Sequence, residues 1–128
     1  MKYTVTVEIP NSVNIILELD DEYSPKTVEL FIKNLPFEVK LNLWDQEIYT
    51  NPTKIKISEE NSKPTVNLFD VAYWPQGKAI CLFYGPTPIS TKNQIKPYSP
   101  VNIIGKIINP DKKILSKIQS GITATFRQ

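Results

Sequence analysis

The run Ala79–Tyr84 is the most apolar stretch of the chain and the one that most constrains its fold. It has the sequence A-I-C-L-F-Y, it follows the turn Pro75–Lys78, and Gly85 and Pro86 end it. A continuously apolar run between turn residues predicts a strand that is covered on both faces. The rest of the chain must therefore supply a layer on each side of this strand.

Seven further runs predict the other strands of a mainly β protein. Apolar and polar residues alternate with period two along most of them, which is typical of half-buried strands. The runs are Tyr3–Ile9, Val13–Leu19, Phe37–Leu43, Glu47–Thr50, Val66–Tyr73, Val101–Ile108 and Ile122–Phe126. Gly105 interrupts one of them and predicts a bulge or a barrel corner at that point.

Two short helices are predicted between the strands. Ser24 is the expected cap of the first, Pro25 its first residue, and Pro36 ends it. Asn109–Asp111 begins the second helix and Gly121 closes it. The apolar residues of both recur at helical spacing and form buried stripes: Val28, Phe31, Ile32 and Leu35 in the first, Ile114, Leu115 and Ile118 in the second.

Length and element order together predict the architecture. A chain of 128 residues has the size of one domain, here residues 1–128. Many short strands without a β-α-β rhythm favour a closed antiparallel barrel, and two helices are too few for a parallel sheet. We therefore expect a closed eight-stranded antiparallel barrel capped by two short helices. The polar segment Ser58–Pro64 is the expected mobile loop.

Composition excludes several classes of enzyme. The chain has no histidine, one cysteine, Cys81, and one arginine, Arg127. A catalytic triad that needs histidine cannot be built, and a zinc site would need several Cys or His ligands. We accordingly predict no catalytic residues of these kinds, no metal and no cofactor. Cys81 lies in the apolar run, so a buried core residue is favoured over a nucleophile.

The charge distribution bears on partners and location. The net charge is +2 and the lysines are scattered, which argues against nucleic acid as a partner. No apolar signal segment or membrane-spanning run is present in the sequence, so we expect a cytoplasmic protein with no membrane partner. The acidic residues Asp45, Glu47 and Asp70 are candidates for acid–base work, but nothing in their spacing brings two of them together.

The aromatic pair Tyr73 and Trp74 precedes the turn at Pro75. Each ring has a flat apolar face and a polar tip, so the pair is a candidate platform for a ligand. The alternative is that both rings only close one end of the barrel. Trp74–Pro75 is the candidate cis peptide bond.

Three stretches resemble cyclophilins and their smaller relatives. Ile15–Phe31 contains P-K-T before a phenylalanine at the start of a helix, and Val101–Ile107 contains I-G-K-I before a helix. The block D-V-A-Y-W-P-Q-G-K-A-I-C-L-F-Y-G-P-T-P at Asp70–Pro88 is similar to single-domain bacterial and archaeal cyclophilin-like proteins, whose function is largely unassigned. The resemblance covers most of the chain and implies a cyclophilin-like barrel with a groove on one outer face.

The resemblance does not carry over the isomerase residues. In cyclophilins the groove binds proline peptides, and an arginine in an F-H-R context is central to cis/trans isomerisation. The matching strand here is Glu47–Thr50, which has neither arginine nor histidine. The groove tryptophan and histidine of the family would fall between Lys96 and Val101, where this chain has P-Y-S-P.

The sequence thus favours a binding protein without conventional prolyl isomerase activity. It would take a peptide or small molecule in a groove lined by Tyr49, Tyr73, Trp74 and Tyr98. One alternative is a weak or atypical isomerase, or another enzyme based on Asp, Glu, Lys or Tyr. Another is a subunit that docks through an exposed sheet edge. The ligand and the oligomeric state stay open.

Overall fold

The alternating runs form eight antiparallel strands that close into a barrel in a computed structural model, which describes residues 1–128. Around the barrel the order is β1-β2-β7-β5-β6-β4-β3-β8. The strands are β1 (Lys2–Glu8), β2 (Ile15–Asp20), β3 (Phe37–Trp44), β4 (Glu47–Thr50), β5 (Asp70–Trp74), β6 (Ala79–Phe83), β7 (Asn102–Ile108) and β8 (Thr123–Arg127). The predicted fold class is confirmed.

Alternation along the strands fills the barrel interior with one face of each strand. On β1 the side chains of Val5 and Val7 are fully buried, and on β2 those of Leu17 and Leu19 are. These and the matching residues of the other strands form a core cluster of 22 buried residues. Gly105 lies at the predicted irregularity, because the register of β5 against β7 shifts between Val71 and Ala72, beside it.

Two helices add to the same core. Helix α1 (Pro25–Asn34) buries Val28 and Phe31, and helix α2 (Lys112–Leu115) buries Leu115. The second helix is shorter than predicted, since regular helical structure ends before Gly121. The cis peptide bond of the structure is Leu35–Pro36, and the candidate bond Trp74–Pro75 is trans.

The N-terminus of α1 is capped from a distant part of the chain. Ser24 makes no side-chain cap hydrogen bond, contrary to expectation. The Glu60 carboxylate instead accepts hydrogen bonds from the backbone N–H groups of Lys26 at 3.1 Å and Thr27 at 2.9 Å. The backbone N–H of Glu60 in turn donates to the buried side chain of Asn102 at 2.9 Å. These bonds tie the segment Ser58–Pro64, expected to be a mobile loop, to both α1 and β7.

Strand β6 is covered on both faces, as the sequence predicts. All five of its residues are buried. Ile80 and Leu82 face the barrel interior, whereas Cys81 and Phe83 belong to a second, smaller cluster on the outer side. The predicted strand Val66–Tyr73 begins only at Asp70, and Val66 belongs to the irregular cover of that outer cluster.

Closure of the barrel removes the surface required for edge docking. Every strand pairs with a neighbour on both sides, and β8 joins β1 through Thr6–Glu8. The alternative of a subunit that docks through a sheet edge therefore has no unpaired edge strand to use. Neither helix is long and apolar enough to span a membrane.

Candidate functional site

An aromatic pocket lies on the outer face of the barrel, over β3, β4, β6 and β5. The chain between β6 and β7 crosses this face and completes the pocket with Pro97, Tyr98 and Val101. The cavity has a volume of about 170 Å³. Its lining consists of Trp44, Glu47, Tyr49, Trp74, Cys81, Pro97, Tyr98 and Val101.

Strand alternation explains which side chains reach the pocket. Ile48 lies in the barrel core, so its neighbours Glu47 and Tyr49 on β4 point to the outer face. Glu47 is paired in register with Phe83, and Tyr49 with Cys81. The pocket floor is therefore the outer face of β4 and β6, the region where the covering chain excludes water.

Three aromatic rings form a connected upper wall. The Tyr98 ring contacts Trp44 and Trp74 edge to face, with ring centroids 6.1 Å and 5.7 Å apart. Such T-shaped pairs are favoured by the quadrupoles of the rings. Tyr98 is nevertheless 69% exposed, so it forms the rim of the pocket and leaves ring surface open to solvent.

Trp74 is fixed in place from two sides. Its indole N–H donates to the Ser99 hydroxyl at 2.6 Å, and that hydroxyl lies 3.3 Å from the side-chain oxygen of Gln76. Gly77 lies directly against the ring, since a Cβ atom there would be 2.3 Å from Trp74 Cε3 and Cζ3. The ring is thus held in one orientation, which reduces the entropy lost when a ligand packs on it.

Glu47 brings an unsatisfied carboxyl group to the pocket floor. The residue is only 5% exposed, and its Oε1 atom has no hydrogen-bond partner. No lysine or arginine lines the pocket. Burial raises the pKa of Glu47 to about 7, and the adjacent Cys81 thiol opposes this rise. The carboxyl group therefore exchanges its proton near neutral pH.

Cys81 is held as a protonated thiol. Burial raises its pKa well above the ordinary value, and the nearby Glu47 carboxylate raises it further. A reactive cysteine requires a stabilised thiolate, which this environment disfavours. Cys81 is accordingly a buried residue of the outer cluster, as the sequence predicts.

A comparison with protein-family models identifies the family of the chain. The model of the family described as Cyclophilin-like matches residues 1–127. The chain belongs to the cyclophilin-like family. The cyclophilin-like barrel also resembles the solution structure of a hypothetical protein from Archaeoglobus fulgidus, with 38% sequence identity and a TM-score of 0.82. That match covers 98% of this chain and 94% of the other. Among curated proteins, none matches the chain.

The cyclophilin-like barrel brings together three of the four residues that the sequence assigned to a groove. Tyr49, Trp74 and Tyr98 all line the pocket. Tyr73 does not, because consecutive strand residues face opposite sides of a sheet and Trp74 takes the outer side. Tyr73 is fully buried in the barrel core, and its hydroxyl donates to the Ile55 carbonyl at 2.7 Å. Its place in the predicted groove is corrected to a core position.

Sequence reasoning did not assign Trp44 and Glu47 to the site. The apolar sequence of β6 could have indicated that Glu47 is buried. Because β6 is covered on its outer face, an outward-facing residue on a neighbouring strand is covered as well. Trp44 follows from the same logic, since it pairs with Glu47 across the β3–β4 turn. The order of the strands around the barrel was needed to use this signal.

The remaining charged groups do not converge on this pocket. Across the structure, no group of three or more His, Cys, Asp and Glu side chains is arranged to hold a metal ion. Arg127 lies on β8, and its Nε atom forms an ion pair with Glu8 Oε1 at 2.9 Å. The groups that the pocket offers to a ligand are therefore mainly aromatic rings and the one carboxyl group of Glu47.

Proposed function

We propose that this cyclophilin-like protein is a binding protein whose outer-face pocket receives a small molecule or a side chain of a peptide. The observation that carries the proposal is the set of aromatic faces of Trp44, Tyr49, Trp74 and Tyr98 around one cavity. Aromatic residues that are held in place and still partly exposed supply contact area at low entropic cost.

The size of the cavity suggests what it holds. An apolar cavity of about 150 Å³ in another protein accommodates benzene. The pocket here has about 170 Å³. A single ring or one compact side chain fits this space, so an extended peptide would insert one group and lie across the rim with the rest.

We further propose that the protein lacks conventional prolyl isomerase activity. The resemblance to cyclophilins sets strand β4 against their arginine-bearing strand, and β4 has no arginine. The only arginine, Arg127, lies on β8, two strands away from β4 in the barrel order. Rotation about a peptide bond has a barrier of about 18–20 kcal/mol, and no guanidinium lines this pocket to lower it.

A second candidate is an acid–base enzyme that uses Glu47. A carboxyl group whose pKa lies near 7 is suited to general acid–base catalysis. The pocket lining contains no second carboxylate and no lysine that could act as the partner acid or base, so the binding function is favoured. The two functions differ in one outcome: only an enzyme converts a bound compound, and replacement of Glu47 by glutamine would abolish that conversion.

The binding proposal is tested by titration with single-ring compounds and short proline- and aromatic-containing peptides. Trp44 and Trp74 are the only tryptophans, and both line the pocket, so selectively excited tryptophan fluorescence reports on this site. We expect saturable fluorescence changes and amide shifts confined to β4, β6 and residues 97–101. The Tyr98→Ala variant should weaken binding, whereas Tyr23→Ala should not, because Tyr23 is a similarly exposed tyrosine outside this pocket.

Two results would count against the proposal. Titrations to millimolar concentration without a saturable change would exclude a binding pocket for these classes. Acceleration of prolyl isomerisation that falls in Tyr49→Phe or Trp74→Ala would favour the isomerase alternative. We expect no acceleration above the uncatalysed rate.

A further inference from the structure

We infer that the occupant of the aromatic pocket is a compact organic cation that carries N–H donors, such as a primary ammonium, an amidinium or a guanidinium group. This inference rests on the proposed binding function and specifies the chemistry of the ligand. The cationic N–H group would donate to the Glu47 carboxylate, and the rest of the ligand would lie between the rings of Trp44, Trp74 and Tyr98.

The unsatisfied carboxyl oxygen is the first argument. Buried polar atoms in native proteins nearly always have a hydrogen-bond partner, and exceptions call for a functional explanation. Only 5% of Glu47 is exposed to solvent, and its Oε1 atom has no hydrogen-bond partner. The ionised carboxylate only accepts hydrogen bonds, so the partner that this form lacks is a donor.

Charge is the second argument. The titratable side chains that line the pocket with Glu47 are the Cys81 thiol on β6 and the phenols of Tyr49 on β4 and Tyr98 on the covering chain. None of these groups carries a positive charge in either protonation state. An anionic ligand would meet the carboxylate without a compensating cation, whereas a cationic ligand would supply the positive charge that the site lacks.

The aromatic walls are the third argument. The face of a tryptophan or tyrosine ring attracts a cation through its quadrupole, most strongly where the cation is shielded from water. Tyr98 bridges two tryptophans edge to face, so the rings enclose one space. A quaternary ammonium would match these walls, but it has no N–H group to donate to the Glu47 carboxylate, and we therefore favour cations with N–H donors.

The same geometry makes binding depend on pH. With its pKa near 7, Glu47 is largely neutral at pH 5.5 and largely ionised at pH 8. A ligand that stays cationic over this range binds the ionised form better, so its affinity rises with pH and levels off above about pH 7. A neutral ligand has no such preference for the ionised carboxylate.

The test uses benzamidinium, its neutral analogue benzamide and the anion benzoate, titrated by NMR and tryptophan fluorescence at pH 5.5 and pH 8. At pH 8 we expect benzamidinium to bind roughly tenfold or more tightly than benzamide, the margin typical of a charge-assisted hydrogen bond. That margin should shrink at pH 5.5. Benzoate should bind least at pH 8.

Glu47→Gln is the decisive variant because it keeps the shape and removes the charge. It should lose roughly tenfold or more of its affinity for benzamidinium while its affinity for benzamide stays close to that of the wild type. The control is Glu38→Gln, an exposed residue at the far end of β3 from Trp44, which should change neither affinity. An amide spectrum like that of the wild type establishes that each variant is folded.

The outcomes separate the inference from the proposed function. Equal binding of benzamidinium and benzamide, or unchanged benzamidinium binding in Glu47→Gln, would overturn the inference and leave the pocket as a binding site for neutral rings. Absence of binding for all three compounds would overturn both. The expected result is benzamidinium binding that exceeds benzamide binding at pH 8, weakens at pH 5.5 and falls in Glu47→Gln.

Discussion

Two glutamates hold contrasting positions in this barrel. The Glu60 carboxylate caps helix α1: Oε1 accepts hydrogen bonds from the backbone N–H and the hydroxyl of Thr27 at 2.9 and 2.8 Å, and Oε2 accepts one from Lys26. The Glu47 carboxyl group lies under the aromatic pocket with Oε1 unpartnered. The Glu60 carboxylate thus stabilises a helix end, whereas the Glu47 carboxyl group has an oxygen without a hydrogen-bond partner.

The contrast also appears in the direction of the two pKa changes. For Glu60, burial works to raise the pKa, but the hydrogen bonds from Thr27 and Lys26 outweigh it and leave the pKa below its ordinary value. For Glu47, burial is the main cause and raises the pKa to about 7. Hydrogen bonds to the charged form decide between the two cases.

The two residues therefore affect the pH dependence of stability in opposite directions. Glu60 stabilises the folded protein above the ordinary pKa of glutamate, and this contribution is lost as pH falls through its lowered pKa. Folded Glu47 retains its proton between its ordinary pKa of 4.5 and about 7. Its burial therefore costs nothing at pH 4, and the cost grows as pH rises to 7 and stays constant above it.

The largest expected effect comes from Glu47→Gln. Removal of the buried charge should raise the free energy of unfolding at pH 8 by up to about 3 kcal/mol, because a pKa change of one unit corresponds to about 1.4 kcal/mol. At pH 4 the variant and the wild type should differ little. Urea denaturation at both pH values measures the difference, and Glu38→Gln is the control. A Glu47→Gln variant that is less stable at pH 8 would show that the carboxylate has a partner in the fold.

Glu60→Ala should act in the opposite direction. Loss of a helix cap typically lowers the free energy of unfolding by about 0.5–2 kcal/mol, and it should also reduce hydrogen-exchange protection in the first turn of α1. Its neighbour Glu59 is exposed, and its carboxylate accepts a hydrogen bond from the Ser62 hydroxyl, so Glu59→Ala is the matched control. Equal stabilities of the two variants would remove the contrast between a structural and a free carboxylate.

Tyr98→Ala should have the smallest effect on stability. Because Tyr98 is mostly exposed, we expect a change within about 0.5 kcal/mol, together with altered fluorescence of Trp44 and Trp74, whose rings it contacts. Thermal unfolding and emission spectra provide the two measurements. A large loss of stability would indicate that the pocket rim is part of the structural core, which would weaken its assignment as a binding surface.

The sequence predicts the barrel well because strand alternation and the burial of β6 on both faces are local patterns. It does not predict the polar site to the same extent. Glu60 caps a helix that lies more than 30 residues earlier in the chain, and no local pattern links them. The sequence predicts both Tyr73 and Trp74 in the groove, but consecutive strand residues face opposite sides of the sheet. Which of the two faces outward depends on how β5 pairs with β6 and β7 in the barrel.

Glu47 shows the same limitation most clearly. On the sequence it is a polar residue next to a turn, which usually indicates exposure. Its burial results from the chain between β6 and β7, whose Pro97, Tyr98 and Val101 cover the outer face at this point. The raised pKa and the unpartnered oxygen are therefore consequences of tertiary structure.

The most direct test is an NMR titration of the glutamate side-chain carboxyl carbons in the intact protein, with Glu47→Gln and Glu60→Gln used to assign the two signals. The account predicts a midpoint near pH 7 for Glu47 and one below the ordinary value of 4.5 for Glu60. A Glu47 midpoint near 4.5 would contradict the account, because the carboxyl group would then be solvated or paired and the pocket would have no free acceptor to offer a ligand.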